Sequence, residues 1–263
     1  MRIALLSDIH GNSIALEAVL IDIKAQGKVD EYWVLGDLVA VGPDPIGVID
    51  RLYRLPQVRL IRGNTDRYVI AGVRPKPTRQ AMQAYPELAS LSQDIEESFI
   101  WTRGAITAAG WLEWLAKLPL EQRALLPDGT RLLGVHASPG NDGGPGIHPA
   151  LSEPQLYAML AGCEADLVCV GHTHWPLNLK LGQVHVVNLG SVSNPLPPDL
   201  RASYVILEAT ETGYTVKHHR VDYNRAAVIA AVERVRYPAA DFITRLMRGQ
   251  HQPAWPTDQS GAF

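Results

Sequence analysis

The chain has 263 residues, 46% of them hydrophobic and 19% charged, with a net charge of -3. That is the balance of an ordinary globular protein, long enough for one large domain or two small ones. The charge is too small to predict a polyanionic partner, no dense Lys/Arg run gives a nucleic-acid signature, and no stretch reaches the roughly eighteen apolar residues of a membrane span.

Arg2 to Ser7 reads as a buried strand, short, apolar and ended by polar residues. The run is too short for a signal h-region and is interrupted at once by Asp8 and His10, so the cytoplasm is the expected compartment. Ser13 to Gln26 has helical spacing, with Ile14, Leu16, Ala18, Val19, Leu20 and Ile23 on a broad apolar face and Gly27 as its stop. Tyr32 to Leu35 is a second strand, Pro45 to Leu55 a helix opened by proline, and Val58 to Ile61 a third strand. Alternating strand and helix predict an α/β layered domain.

Residues Arg74 to Lys76 are basic and proline-containing, and Thr78 to Leu118 is helical in pattern until Pro119. Together they predict a helical insertion, about 74–119, that packs on the core and walls a cleft. Trp101, Trp111 and Trp114 within it read as packing anchors. Arg131 to Val135 and Leu167 to Val170 are further strands. Leu177 to Lys180 and Val184 to Val187 make a hairpin, and Tyr204 to Glu208 pairs with Tyr214 to His219. Asn224 to Val235 and Ala240 to Met247 are helical, and a Gln/Pro/Ser/Gly tail follows from Gly249 to Phe263. Residues 1–263 are expected to form one domain. Cys163 and Cys169 sit in apolar settings and read as buried thiols.

Four short segments and one histidine carry the chemistry: Asp8-Ile9-His10, Gly36-Asp37, Gly63-Asn64, Gly171-His172-Thr173-His174, and His136. Each follows an apolar strand, where ligands of open α/β sheets collect. Carboxylate and imidazole together suit Mn, Fe or Zn better than Ca or Mg. Asp37 could bridge two ions with its two oxygens, and Gly36 before it permits an unusual turn. His172 and His174 are two apart, so in an extended chain both rings face one cluster.

This ordered set resembles the calcineurin-like metallophosphoesterase superfamily. The flanks Asp8-Ile9-His10-Gly11-Asn12, Leu35-Gly36-Asp37-Leu38 and Gly42-Pro43-Asp44-Pro45 resemble its small bacterial phosphodiesterase branch. The resemblance spans roughly Met1 to Glu208. It implies a two-sheet β-sandwich flanked by helices. It also implies two divalent transition-metal ions, manganese first, with iron, zinc or a mixed pair as alternatives. By the same resemblance Asp8, His10 and His174 would hold one ion. Asn64, His136 and His172 would hold the other, and Asp37 with a hydroxide would bridge them. Asp37, Asn64 and His136 would be the catalytic residues, and a small phosphoester, attacked directly by that hydroxide, would be the substrate.

One position departs from the family pattern. Where many members carry a histidine after the asparagine, this chain has Thr65 and then Asp66. Threonine donates a hydrogen bond but is no acid near neutral pH. Asn12, Arg67 and His148 are the candidates for substrate contact: Asn12 at the start of the first helix, Arg67 as a forked donor, His148 from a Gly/Pro loop. Asp66 is expected to brace Asn64 or a ligand. The reading is a dinuclear phosphodiesterase. The rivals are a phosphomonoesterase or Ser/Thr protein phosphatase, and a non-catalytic metal-binding protein on the same fold.

Overall fold

Alternation along the first strand sorts the molecule into layers. In β1 (Arg2–Leu6), Ile3 and Leu5 face one apolar cluster while Ala4 and Leu6 face another, because successive strand side chains point to opposite faces. β2 (Glu31–Leu35) and β3 (Val58–Ile61) repeat the pattern. Trp33, Leu35 and Ile61 join Ile3 and Leu5, and Val34 and Leu60 join Ala4 and Leu6. Strands apolar on both faces must be covered on both. Helices cover one face of this sheet and a second sheet covers the other.

The protein is described by a computed structural model over residues 1–73 and 87–250. The later strands are β4 (Glu121–Leu125), β5 (Arg131–Val135), β6 (Leu167–Val170), β7 (Leu177–Leu181), β8 (Val184–Asn188), β9 (Ala202–Thr210) and β10 (Gly213–Val221). One sheet runs β10-β9-β1-β2-β3 and the other β4-β5-β6-β8-β7. β1, β2 and β3 are mutually parallel, as are β5, β6 and β8, while the outer pairs are antiparallel. The sandwich interior holds Leu132, Leu167, Cys169, Val187, Val205 and Leu207 against Trp33 and Leu35. The α/β two-sheet sandwich expected from the sequence is therefore the fold. Both cysteines are buried, unpaired thiols.

The helices follow from their apolar spacing and their caps. α1 (Ser13–Ala25) buries Ala15, Leu16, Val19 and Ile23, and Asn12 caps it by accepting from the Ala15 N–H at 3.0 Å. α2 (Pro45–Tyr53) is capped by Asp44, which accepts from the Gly47 N–H at 2.9 Å. α4 (Glu87–Ala108) and α5 (Leu112–Ala116) supply the helical wall expected after residue 74. The basic stretch 74–76, the rest of 77–86 and the tail 251–263 lie outside the described residues. Trp111 stacks edge-on to Trp114 with centroids 5.5 Å apart, and Trp101 to Tyr237 at 5.1 Å. They are packing anchors, as expected. α7 (Arg225–Arg234) and α8 (Ala240–Met247) pack on each other through Val228, Val232, Ile243 and Met247. Among the described residues, no helix is long and apolar enough to cross a membrane.

Three elements were not anticipated. α3 (Asn64–Ala71) opens with Asn64, Thr65 and Asp66, residues that compete with helical hydrogen bonding, and is stopped by Gly72 at φ +70°. β4 is a short edge strand of mostly polar residues, held by its antiparallel pairing to β5, by Ala124 packing on the sandwich interior and by a bond from Arg123 to Cys163 O at 3.2 Å. α6 (Glu153–Leu160) starts at Ser152, whose N–H is bonded by the Gln155 side chain at 2.8 Å. That start signal was present in the sequence and passed over. α6 covers the outer face of the second sheet with Leu156 and Leu160.

Gly134 lies on the inner face of β5, where an added Cβ would stand 2.9 Å from Leu35 Cδ2 and 3.1 Å from the Trp33 ring. Trp33 and Leu35 fill the space a side chain at Gly134 would take. Gly134→Val is expected to lower stability by about 1–3 kcal/mol, read as a lower urea midpoint at constant slope. An unchanged midpoint would contradict the close packing of Trp33 on Gly134.

Candidate metal centre

All seven residues singled out by the sequence meet at one end of the sandwich. Asp8 and His10 follow β1, Asp37 follows β2, Asn64 opens α3 after β3, His136 follows β5, and His172 and His174 follow β6. The backbone there is unusual. Asp8, His10, Asp37, His172 and His174 have φ of 58°, 49°, 54°, 68° and 60°. Side chains with a Cβ adopt this region at a cost of order 1–3 kcal/mol each. The loops are laced together to hold it: the Asp8 N–H donates to Gly36 O at 3.1 Å, His10 to Asp37 O at 2.9 Å, and Gly171 to His136 O at 2.8 Å. The extended conformation expected for the 172–174 segment is therefore wrong. Each of these histidines turns through left-handed backbone, and the two rings are sent to different groups.

The seven form two sets. In the first, Asp8, His10 and His174 bring His10 Nε2 within 3.1 Å of His174 Nε2, and Asp8 Oδ1 within 3.2 Å of His174 Nε2. In the second, with Asp37, His136 and His172, the oxygen Asn64 Oδ1 lies 3.1 Å from His136 Nε2 and 2.9 Å from His172 Nδ1. Asp37 stands between them, with Oδ2 3.8 Å from His10 Nε2 and Oδ1 3.3 Å from His136 Nε2.

The remaining ring nitrogens decide what these contacts are. His10 Nδ1 faces Ala40 O at 3.1 Å, His136 Nδ1 faces Leu35 O at 2.7 Å, His174 Nδ1 faces Asn194 O at 3.0 Å, and His172 Nε2 faces Gly144 O at 2.9 Å. A carbonyl only accepts, so each of these nitrogens carries a proton, and the inward nitrogen is the one that takes up a cation or, without one, a second proton. The inward nitrogens, the Asn64 oxygen and carboxylate oxygens thus converge at contact distance. Asp8 Oδ1 is buried and accepts no hydrogen bond. Clustered buried acceptors of this kind fit divalent cations, and the carbonyl partners are the usual support of a ligating imidazole.

The electrostatics agree. Burial opposes charge on Asp37, but His136 and His10 beside it hold its carboxyl well below the usual range. Burial also opposes a charge on His136, yet Asp37 and Asp8 push that imidazole up to about 10. Asp8 is likewise held low, against burial, by His174 and His136. The two carboxylates draw positive charge into a water-poor place.

Sequence reading missed part of the support. Asp66 accepts from the N–H groups of Leu38, Val39 and Gly63 at 2.9, 3.3 and 2.9 Å, tying the loop after Asp37 to the one before Asn64. Its bracing role was expected; its reach across both loops was not. Asn188, at the end of β8, donates to Gly171 O at 2.9 Å and to Thr173 Oγ1 at 2.9 Å. Ser191 Oγ donates to Asp8 O at 2.9 Å. The Asn188-Leu189-Gly190-Ser191 run was the available signal. Gly171 is required by close approach, because a Cβ there would collide with Ser7 Oγ and stand 2.5 Å from Asp8 Oδ2.

Two pockets meet at His174. One, of about 270 Å³, is floored by His10, Asp37, Asn64, His172 and His174 of the cluster and walled by Val41, Tyr68, Ile95, Phe99, Phe242 and Leu246. Ile95 and Phe99 belong to α4, which contributes one side of this wall. Thr65 lines it too, with Oγ1 buried and without a hydrogen-bond partner. The other, of about 360 Å³, runs toward β7 and β10. The three residues expected to touch substrate do not line the first pocket. Asn12 caps α1 and donates to Ser193 Oγ at 3.1 Å. Arg67 is held by Asp142 at 2.7 and 2.9 Å and lies over the Tyr68 ring. His148 is buried in the wall of a separate depression beside α6 and β7. In each case a structural partner satisfies or buries the group that was to meet the substrate.

Asp66→Ala would leave three buried N–H groups without their acceptor. It is expected to cost roughly 3 kcal/mol of stability and to weaken divalent-metal affinity about 10–100-fold. Urea unfolding and Mn²⁺ titration of the folded variant check both; unaltered affinity would show that Asp66 does not set the Asp37–Asn64 spacing.

The comparisons with known proteins agree with this geometry. The model of the calcineurin-like phosphoesterase superfamily domain matches residues 1–212. An uncharacterised protein of Methanocaldococcus jannaschii is 29% identical over 253 residues, covering 90% of this chain and 93% of that one. A symmetrical bis(5'-nucleosyl)-tetraphosphatase of Hamiltonella defensa is 24% identical, covering 89% of this chain and 74% of its own length. Other proteins of that name align over less than half of their length. The crystal structure of a metallophosphoesterase from Sphaerobacter thermophilus superposes with a TM-score of 0.69 at 28% identity, covering 95% of this chain and 99% of that one. The chain belongs to the calcineurin-like phosphoesterase superfamily.

Proposed function

We propose that the protein is a phosphodiesterase working with two divalent transition-metal ions. Asp8, His10 and His174 hold one, Asn64, His136 and His172 hold the other, and Asp37 serves both. The observation that carries this reading is the placing of the two Asp37 oxygens, one facing His10 at 3.8 Å and the other facing His136 at 3.3 Å. When bound, two such ions supply a water that ionises near neutral pH and positive charge against the phosphoryl oxygens. The imidazole and carboxylate donors suit manganese, iron or zinc.

The chain's own groups do the rest. The carbonyls of Leu35, Ala40, Gly144 and Asn194 fix the four imidazoles before substrate arrives, so little reorganisation accompanies the reaction. The buried Thr65 hydroxyl is placed to donate to a phosphoryl oxygen, but it cannot protonate a leaving group. This favours esters whose leaving oxygen is stable as an anion. The preference for a diester rests on the two pockets at His174, which offer room on either side of the cluster for two substituents. A monoester would use one. The name of the tetraphosphatase relative points the same way, since each inner phosphorus of a bis-nucleosyl tetraphosphate is joined through two bridging oxygens.

With Mn²⁺ present, kcat/KM for bis(4-nitrophenyl) phosphate is expected to exceed that for 4-nitrophenyl phosphate by about tenfold or more, and Asp37→Ala to lower it by on the order of 10³-fold. A reversed ratio would assign a phosphomonoesterase. Folded wild-type protein that binds metal and hydrolyses neither ester would assign a binding protein. Near-native turnover by Asp37→Ala would refute the proposed centre.

A further inference from the structure

We propose that the groove on the β7–β10 side of His174 receives the second substituent of the diester, and that Arg220 there recognises a further anionic oxygen group, such as a phosphate, carried by that substituent. The proposal rests on the diesterase reading above.

The groove shares His174 with the metal-type cluster, and Trp175, Pro176, Leu196 and Pro198 give it apolar sides for a carbon skeleton. Arg220, on β10, lines it together with Asp199. Its side chain is 26% exposed, and its nearest carboxylate, Asp199, is 3.8 Å away, beyond hydrogen-bond reach. Asp199 is already committed: Arg201 engages it through Nε at 2.9 Å and Nη2 at 2.8 Å, and its own backbone N–H donates to the same carboxylate at 3.1 Å. Asp199 thus spends its hydrogen bonds on Arg201, and the Arg220 guanidinium beside it keeps its own donors open toward the groove. No hydrogen bond joins the Arg220 guanidinium to any described residue. A half-buried guanidinium with its forked donors unspent is a receptor for a planar or tetrahedral oxyanion.

The pocket on the other side of the cluster differs in kind. Among the described residues, its lining contains no Lys or Arg and its wall is apolar or aromatic. The two arms of the substrate are thus read differently: an uncharged, preferably aromatic group lies against Tyr68, Phe99 and Phe242, and the charged arm lies toward Arg220. A diester in a symmetric site would show no such asymmetry.

The test compares two chromogenic diesters, 4-nitrophenyl thymidine 5'-phosphate and the same compound bearing a 3'-phosphate. The wild-type enzyme is expected to favour the 3'-phosphorylated ester by about tenfold in kcat/KM, mostly through KM, and that preference is expected to weaken without vanishing as salt is raised, since partly buried charge pairs are screened less than exposed ones. Arg220→Gln is expected to bring the ratio close to one, and Arg220→Lys, which keeps the charge without the fork, to give an intermediate ratio. A wild-type ratio near one, or a ratio unchanged in a folded Arg220→Gln, overturns the subsite while leaving the diesterase reading intact. Hydrolysis of neither diester overturns both. If Arg220→Gln does not fold, the wild-type ratio and its salt dependence still decide.

Discussion

The structure turns on one electrostatic constraint: two carboxylates, an amide oxygen and four imidazole lone pairs are packed against one another where water is largely excluded. Acceptors at 2.9 to 3.8 Å repel unless positive charge lies among them. Everything near the site serves that arrangement. The outward ring nitrogens are tied to carbonyls, so the imidazoles cannot flip their lone pairs away. Asp37 and Asp8 raise the His136 imidazole against the effect of burial, which is the direction expected where a cluster draws positive charge.

The architecture follows from that demand. Parallel strands of both sheets end at the same edge, so five strand ends deliver side chains to one place without long loops. The turns that aim them use left-handed backbone at five of the seven residues. Such strain persists only where the surroundings over-determine it. Asp66, Asn188 and Ser191 do this by filling the loops' backbone donors and acceptors with side-chain partners. The sandwich core, locked where Trp33 packs over Gly134, gives these loops a rigid base.

Much of this could be read from the chain. Val58 to Ile61, Arg131 to Val135, Leu167 to Val170 and Ala240 to Met247 stand where apolar runs and periodicity put them. The seven cluster residues were legible because each ends an apolar strand, and the glycines before three of them, Asp37, Asn64 and His172, mark tight approach. What failed was local context. The helix from Asn64 to Ala71 is begun by residues of poor helix propensity and is stabilised by its packing and by the bond from the Gly63 N–H to Asp66, so propensity hid it. The alternation expected for His172 and His174 failed because sequence spacing carries no φ angle, and both residues turn through left-handed backbone. Asn12, Arg67 and His148 were chosen for their chemistry alone. A capping bond, an ion pair and burial beside another element claimed them instead. The Ser/Asn run after β8 was overlooked because its side chains act on the backbone of other loops, a role with no spacing signature.

The central claim is most directly tested by anomalous diffraction from crystals grown with Mn²⁺. The account predicts two peaks per chain. One is contacted by Asp8, His10 and His174 and the other by Asn64, His136 and His172, with one Asp37 oxygen turned to each. A single peak, or peaks away from Asp37, would contradict it.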